Sequence, residues 1–155
     1  MVPDTFVVHA EPLTAAAFAP FGQVIAAGDM TMELRDGERF HLNVLSYDRV
    51  PLVCDHLNRH HRATQALVAL AGRPTVLVVA PAGLDFSNRD HLSSVRAFVC
   101  DGTAGINIAL STWHWGPYPL MEHVDLVNVQ GAGFADDNDV AHLERDLGVV
   151  VTVHL

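Results

Sequence analysis

The sequence predicts an all-β fold, a barrel of short antiparallel strands with one or two short helices. Two observations carry this. From residue 50 onward short apolar runs recur, at 50–54, 65–70, 75–80, 96–100, 106–110 and 126–129. Turn residues separate them: Ala71-Gly72-Arg73-Pro74, Pro81-Ala82-Gly83, Asp101-Gly102 and Gly131-Ala132-Gly133. Many short strands at regular spacing point to a sandwich or barrel rather than to a parallel sheet with crossover helices. With 155 residues and no internal repeat or linker, the chain has the size of one domain spanning 1–155.

The N-terminal third is more varied. Residues 5–9 read as a strand. Residues 13–18 read as a short helix with Thr14 as N-cap, rich in alanine and stopped by Pro20 and Gly22. A strand returns at 23–26. Residues 28–37, with two glycines and three acids, read as a loop. Residues 40–47 suit a strand with Phe40, Leu42 and Val44 on one face. At the other end, 139–145 reads as one or two helical turns closing at Gly148, followed by a strand over 149–153.

Composition narrows the function. The formal net charge is −9, which repels phosphate backbones and anionic lipid, so neither nucleic acid nor a membrane surface is an expected partner. No apolar run reaches membrane-spanning length, and the first residues lack a basic stretch followed by an apolar one, so the cytoplasm is the expected location. All nine basic residues are arginine. Without lysine there is no Schiff base and no P-loop lysine, and an anionic substrate needs arginine, backbone N–H groups or a metal. Cys54 and Cys100 form no Cys-x-x-Cys pair and read as small buried apolar residues.

Ten histidines are too many to treat alike. His9, His91, His123, His142 and His154 read as surface or hydrogen-bonded residues; His41 and His56 stay open. His60 stands out for its company, Asn58-x-His60-x4-Gln65-x6-Gly72. Small β-barrels of the cupin type carry His, His, Glu and Gly at this spacing. On a strand, positions two apart share a face, so Asn58 and His60 point one way and Gln65 joins from the next strand. Amide oxygens are poor ligands for transition metals, so no metal site and no cofactor are expected, a weakly held divalent ion on two histidines being the alternative. A second cluster, Gly105-Ile106-Asn107-x6-Trp113-His114-Trp115, would face the first if the strands close.

Five segments then resemble the ureidoglycolate lyase family: Leu13-Thr14-x3-Phe18-Ala19-Pro20-Phe21-Gly22-x-Val24-Ile25, Arg59-His60-x4-Gln65-Ala66, Arg96-Ala97-Phe98, Gly105-Ile106-Asn107 and Trp113-His114. They lie in the family's order over residues 13–131. The resemblance implies a cupin-like barrel, usually a homodimer, acting in purine-nitrogen (allantoin) breakdown to split ureidoglycolate into glyoxylate and urea. The chain departs from the family's pattern in three places. Asn58 stands where the family has Glu, Ile108 and Ala109 where it has Tyr-His, and Trp115 where it has a second His.

The expected chemistry needs a base for the substrate hydroxyl, an acid for the leaving nitrogen and a clamp for the carboxylate of this small anionic substrate. His60 and His114 are the expected catalytic pair. Arg59 and Arg96 are the candidate clamps, although strand alternation sets Arg59 opposite His60. Gln65 and Asn107 would orient the hydroxyl and urea carbonyl, with Asn58 and Trp113 completing the substrate site. Two alternatives stand beside this reading. One is a diverged cupin enzyme acting on another small hydroxy or keto acid; the other is a non-catalytic small-molecule-binding module.

Overall fold

A computed structural model describes all residues, Met1–Leu155. In chain order the strands are β1 (Asp4–His9), β2 (Glu11–Pro12), β3 (Gly22–Ile25), β4 (Phe40–Asp48), β5 (Val53–Cys54), β6 (His56–Arg59), β7 (Gln65–Ala69), β8 (Thr75–Ala80), β9 (Arg96–Cys100), β10 (Gly105–Ile108), β11 (Trp113–Pro119), β12 (His123–Gly131), β13 (Asp139–His142) and β14 (Val149–His154). Two short helices join them, α1 (Ala15–Phe18) and α2 (Leu143–Leu147). Thr14 caps α1, its hydroxyl accepting from the Ala17 N–H at 3.1 Å. Gly148 ends α2 in the left-handed conformation, φ 64°.

The strands form three sheets, ordered β1-β14-β5, β3-β10-β7-β12-β4 and β13-β6-β11-β8-β9-β2. The fold is all-β and cupin-like, but the sheets pack in layers and do not close into one barrel. The six-stranded sheet is the middle layer. On one side Val76, Val78, Ala97 and Trp113 pack against Val149, Val151 and Val153 of the three-stranded sheet. On the other, Leu77, Val79 and Phe98 meet Leu67, Ile106, Ile108 and Leu126 of the five-stranded sheet. Central strand β8 is therefore buried at all six residues, which explains the unbroken apolar run from Val76 to Ala80.

One local expectation changes. Residues Asp139–His142 form β13, not a helical turn, because pairing with β6 (Val140 opposite Asn58, Ala141 opposite Leu57) satisfies their backbone. The helix begins only at Leu143. Residues 113–119 form strand β11 despite Gly116-Pro117, which a shift in register between Trp115 and Tyr118 accommodates. The alternation in β4 is real, but Phe40, Leu42 and Val44 face away from the core, and Asn43, Leu45 and Tyr47 face inward.

Three connections cross between the five- and six-stranded sheets at one end of the molecule. Residues 60–64 join β6 to β7, residues 109–112 join β10 to β11, and residues 132–138 join β12 to β13. The Ser111 N–H donates to the His60 carbonyl at 2.7 Å, locking the first two side by side. The interior beneath these crossings is polar, whereas the rest of the space between the two sheets is hydrocarbon.

Candidate functional site

The interior polar end is built from the strand register. His114 lies opposite Asn58 on β6 and Val79 on β8, so all three share the face turned to the five-stranded sheet. Gln65 opens β7 directly after the first crossing and shares the inward face with Ile108. His60 sits in that crossing. Its ring centroid is 5.4 Å from that of His114. The structure thus brings together Asn58, His60, Gln65 and His114 from two segments fifty residues apart.

Each imidazole is oriented by a carbonyl. His60 Nδ1 donates to Asp137 O at 2.6 Å, and His114 Nδ1 donates to Thr112 O at 3.0 Å. A carbonyl oxygen can only accept, so both rings carry their proton on Nδ1 and leave Nε2 as a lone pair. Burial, followed by the neighbouring His60, pushes the His114 pKa down to about 4, against a smaller opposing effect of Thr112 O. His114 is therefore a neutral base throughout the physiological range.

Gln65 is held by an amide relay. Its Nε2 donates to Asn128 Oδ1 at 2.8 Å, and Asn128 Nδ2 donates to Asn43 Oδ1 at 2.8 Å. Its own Oε1 is buried without a donor, as is Asn58 Oδ1. Asp137 anchors the crossing that holds His60. Its two carboxylate oxygens accept from the N–H groups of His61 (2.9 Å) and Arg62 (2.8 Å). Sequence reasoning missed Asp137 and Asn128. Asn128 had a signal: it falls on the inward phase Val124, Leu126, Asn128 of β12, where a polar residue needs a reason. Asp137, in a loop, had none.

The remaining expected residues lie elsewhere. Arg59 points to the opposite face of the middle sheet. It donates to Asp139 Oδ2 (3.0 Å) and to the carbonyls of Ala82 and Leu84, and it covers the Trp113 ring at 4.2 Å. Trp113 is on that same face, its indole N–H donating to Leu84 O at 2.7 Å. Arg96 forms a bidentate pair with Glu11 and also donates to Ala17 O. Asn107 is on the outer face of the five-stranded sheet, its Nδ2 donating to Thr31 O at 2.9 Å. Each guanidinium is already matched to a carboxylate, and nothing places either beside the histidine pair.

The donor set does not suit a cupin-type metal ion. Two of the three motif positions are amides, and His60 and His114 are the only imidazoles at the cluster. No three His, Cys, Asp or Glu side chains anywhere in the chain are grouped to hold a metal ion. Cys54 and Cys100 are both buried, and burial raises their thiols to about 12 and about 11, so neither is a nucleophile at neutral pH.

The family model for ureidoglycolate lyase matches residues 37–151, which include both histidines of the pair. The chain belongs to the ureidoglycolate lyase family. A ureidoglycolate lyase of Burkholderia mallei (strain NCTC 10229) is 38% identical over 144 residues, covering 79% of this chain and 81% of that protein. One from Pseudomonas fluorescens (strain SBW25) is 31% identical over 164 residues, covering 93% and 96%. One from Pseudomonas syringae pv. tomato is 30% identical over 161 residues, covering 91% and 92%. The family model leaves out the Leu13–Ile25 segment and extends past the other four, through β13 and α2 into β14. No helix is long and apolar enough to cross a membrane.

Proposed function

We propose that this chain is a ureidoglycolate lyase, releasing urea from ureidoglycolate and leaving glyoxylate, in the cytoplasmic breakdown of purine nitrogen through allantoin. The observation that carries the reading is the His60–His114 pair, with both Nδ1 protons fixed and both Nε2 atoms free. The reacting carbon of the substrate bears a hydroxyl, a carboxylate and the ureido nitrogen. Cleavage needs one proton to leave the oxygen and one to reach the nitrogen. As the oxygen–hydrogen bond breaks, the carbon–oxygen double bond forms and the carbon–nitrogen bond breaks.

His114 serves as the base, since its Nε2 lone pair is available at neutral pH. The imidazolium formed on it is strongly acidic for a histidine, because the site is buried and His60 is near. It gives the proton up readily, and His60 completes the transfer to the leaving nitrogen. Positioned proton transfer of this kind contributes about 10²–10⁴-fold in rate. Asn58 and Gln65 hold the substrate through their amides. The absence of lysine leaves no covalent imine route.

Glyoxylate release faster than spontaneous decay, lowered at least about 100-fold by His114→Ala or His60→Ala, is the expected result. Release no faster than the uncatalysed reaction overturns the proposal. In that event a panel of small hydroxy and keto acids tests the diverged-enzyme alternative.

The outer face of the five-stranded sheet supports a homodimer. Phe40, Leu42 and Val44 are 36%, 62% and 51% exposed, and Val127 and Val129 flank them in register. A contiguous apolar sheet face of this kind marks an association surface. Sedimentation should give a dimer, and Leu42→Glu should shift it to monomer with the fold intact; a monomeric parent chain sinks this reading.

A further inference from the structure

The free valences at the polar end are nearly all of one kind. Asn58 Oδ1 and Gln65 Oε1 are buried acceptors without a donor. The Nε2 atoms of His60 and His114 are further acceptors, because both ring protons are committed to backbone carbonyls at Nδ1. The arginines of the adjoining segments are engaged: Arg59, Arg62 and Arg96 each face carboxylates. A buried acceptor left unpaired costs free energy, so each of these two oxygens is a place for a donor.

The direction of the Gln65 amide is not arbitrary. Asn128 is fully buried and uses both ends of its amide, taking the Gln65 N–H and passing its own to Asn43. That polarity turns Gln65 Oε1 away from Asn128 and leaves it for a ligand.

We infer that this polar end recognises N–H-rich neutral groups and not carboxylates, so that the ureido end of the substrate meets the polar interior while the carboxylate stays toward the crossings. The inference rests on the reading of the chain as a ureidoglycolate lyase and adds the polarity of the bound substrate. A ureido group carries three N–H bonds and the adjacent hydroxyl a fourth, enough to meet the four acceptors. After cleavage urea still matches the site through its four N–H bonds, whereas glyoxylate brings none as an anion. Urea is therefore the product that holds the site.

The test uses the whole enzyme and two arms. In the first, urea, N-methylurea and oxalate are compared as competitors of glyoxylate release at about 0.1 M, well below denaturing urea. Urea and N-methylurea should compete, and oxalate should be at least about tenfold weaker. Gln65→Met should weaken urea by about tenfold; it also removes the donor to Asn128 Oδ1, so the thermal midpoint falls and urea competition is read well below it. Better competition by oxalate, or urea inhibition indifferent to Gln65→Met, overturns the inference and means that the relay runs in the reverse sense. The second arm follows the His60 and His114 ring protons by NMR during urea titration, with no turnover needed. Shifts confined to those two rings support the inference even where no glyoxylate forms, which would sink the reaction but not the site. Turnover without such shifts sinks the inference alone.

Discussion

His114 and His123 are the same side chain in opposite circumstances. His114 is buried between sheets, bonded to a carbonyl and next to another imidazole, and its pKa falls to about 4. His123 is on the surface between two carboxylates, with Nδ1 2.7 Å from Asp48 and Nε2 2.8 Å from Asp125, and these hydrogen bonds raise its pKa. Histidine chemistry here is thus decided by whether the ring meets carbonyls in a dry interior or carboxylates in water. The His61 ring resembles His123: it bridges Ser111 Oγ at 2.6 Å and Asp139 Oδ2 at 2.7 Å at the surface.

The comparison breaks most visibly in activity. His114→Ala should remove about two orders of magnitude or more from kcat, while His123→Ala should change it by less than about twofold. Equal losses in the two variants, measured by glyoxylate release, would place the chemistry elsewhere.

Acid stability sharpens it next. Because the folded His114 pKa lies below the unfolded value of about 6.5, the unfolded chain binds the extra proton between pH 6.5 and about 4. Stability should therefore fall as pH drops through that window, by about 3 kcal/mol from this group. His123 has the opposite sign. Its raised pKa adds stability that is present below the unfolded value and lost as pH rises through the folded one. Denaturant midpoints from pH 7 to 4.5 should show a shallower acid loss in His114→Gln and a steeper one in His123→Gln.

A smaller effect concerns the support of the pair. Asp137→Ala leaves the His61 and Arg62 N–H groups without acceptors, at a cost of about 2 kcal/mol. Asp137→Asn keeps one acceptor and should lose about half as much. A denaturant titration reads both, and identical stabilities would mean that water replaces the carboxylate.

Much of the fold was legible in the sequence because its signals are local. Thr14 sits one residue before an alanine run, β8 has no polar residue after Thr75 to turn outward, and Gly148 supplies a left-handed helix stop. The strand Asp139–His142 was not legible, because its conformation is set by the partner β6 some eighty residues earlier. Within the site, the spacing around His60 and the family pattern around Trp113-His114 picked out the two rings. The arginines were misleading for a physical reason. A guanidinium looks like a carboxylate clamp in sequence, and only the fold shows that Asp139 and Glu11 already occupy those of Arg59 and Arg96. Asn107 likewise fell on the wrong phase of its strand to face the pair.

The three crossings at one end have a consequence for how this chain can be rearranged. The site is written in pieces, at 58–65, at 114 and at 128–137, around the three crossings, and no short fragment contains it. A peptide graft cannot carry the site into another protein, and cutting the chain at any one crossing should abolish it. The opposite end is where the sequence can be reopened. Met121 and Glu122 are exposed there, in the turn between β11 and β12. A linker running the length of the parallel β1–β14 pair, from Leu155 back to Met1, would let a chain that starts at Glu122 still assemble all three crossings.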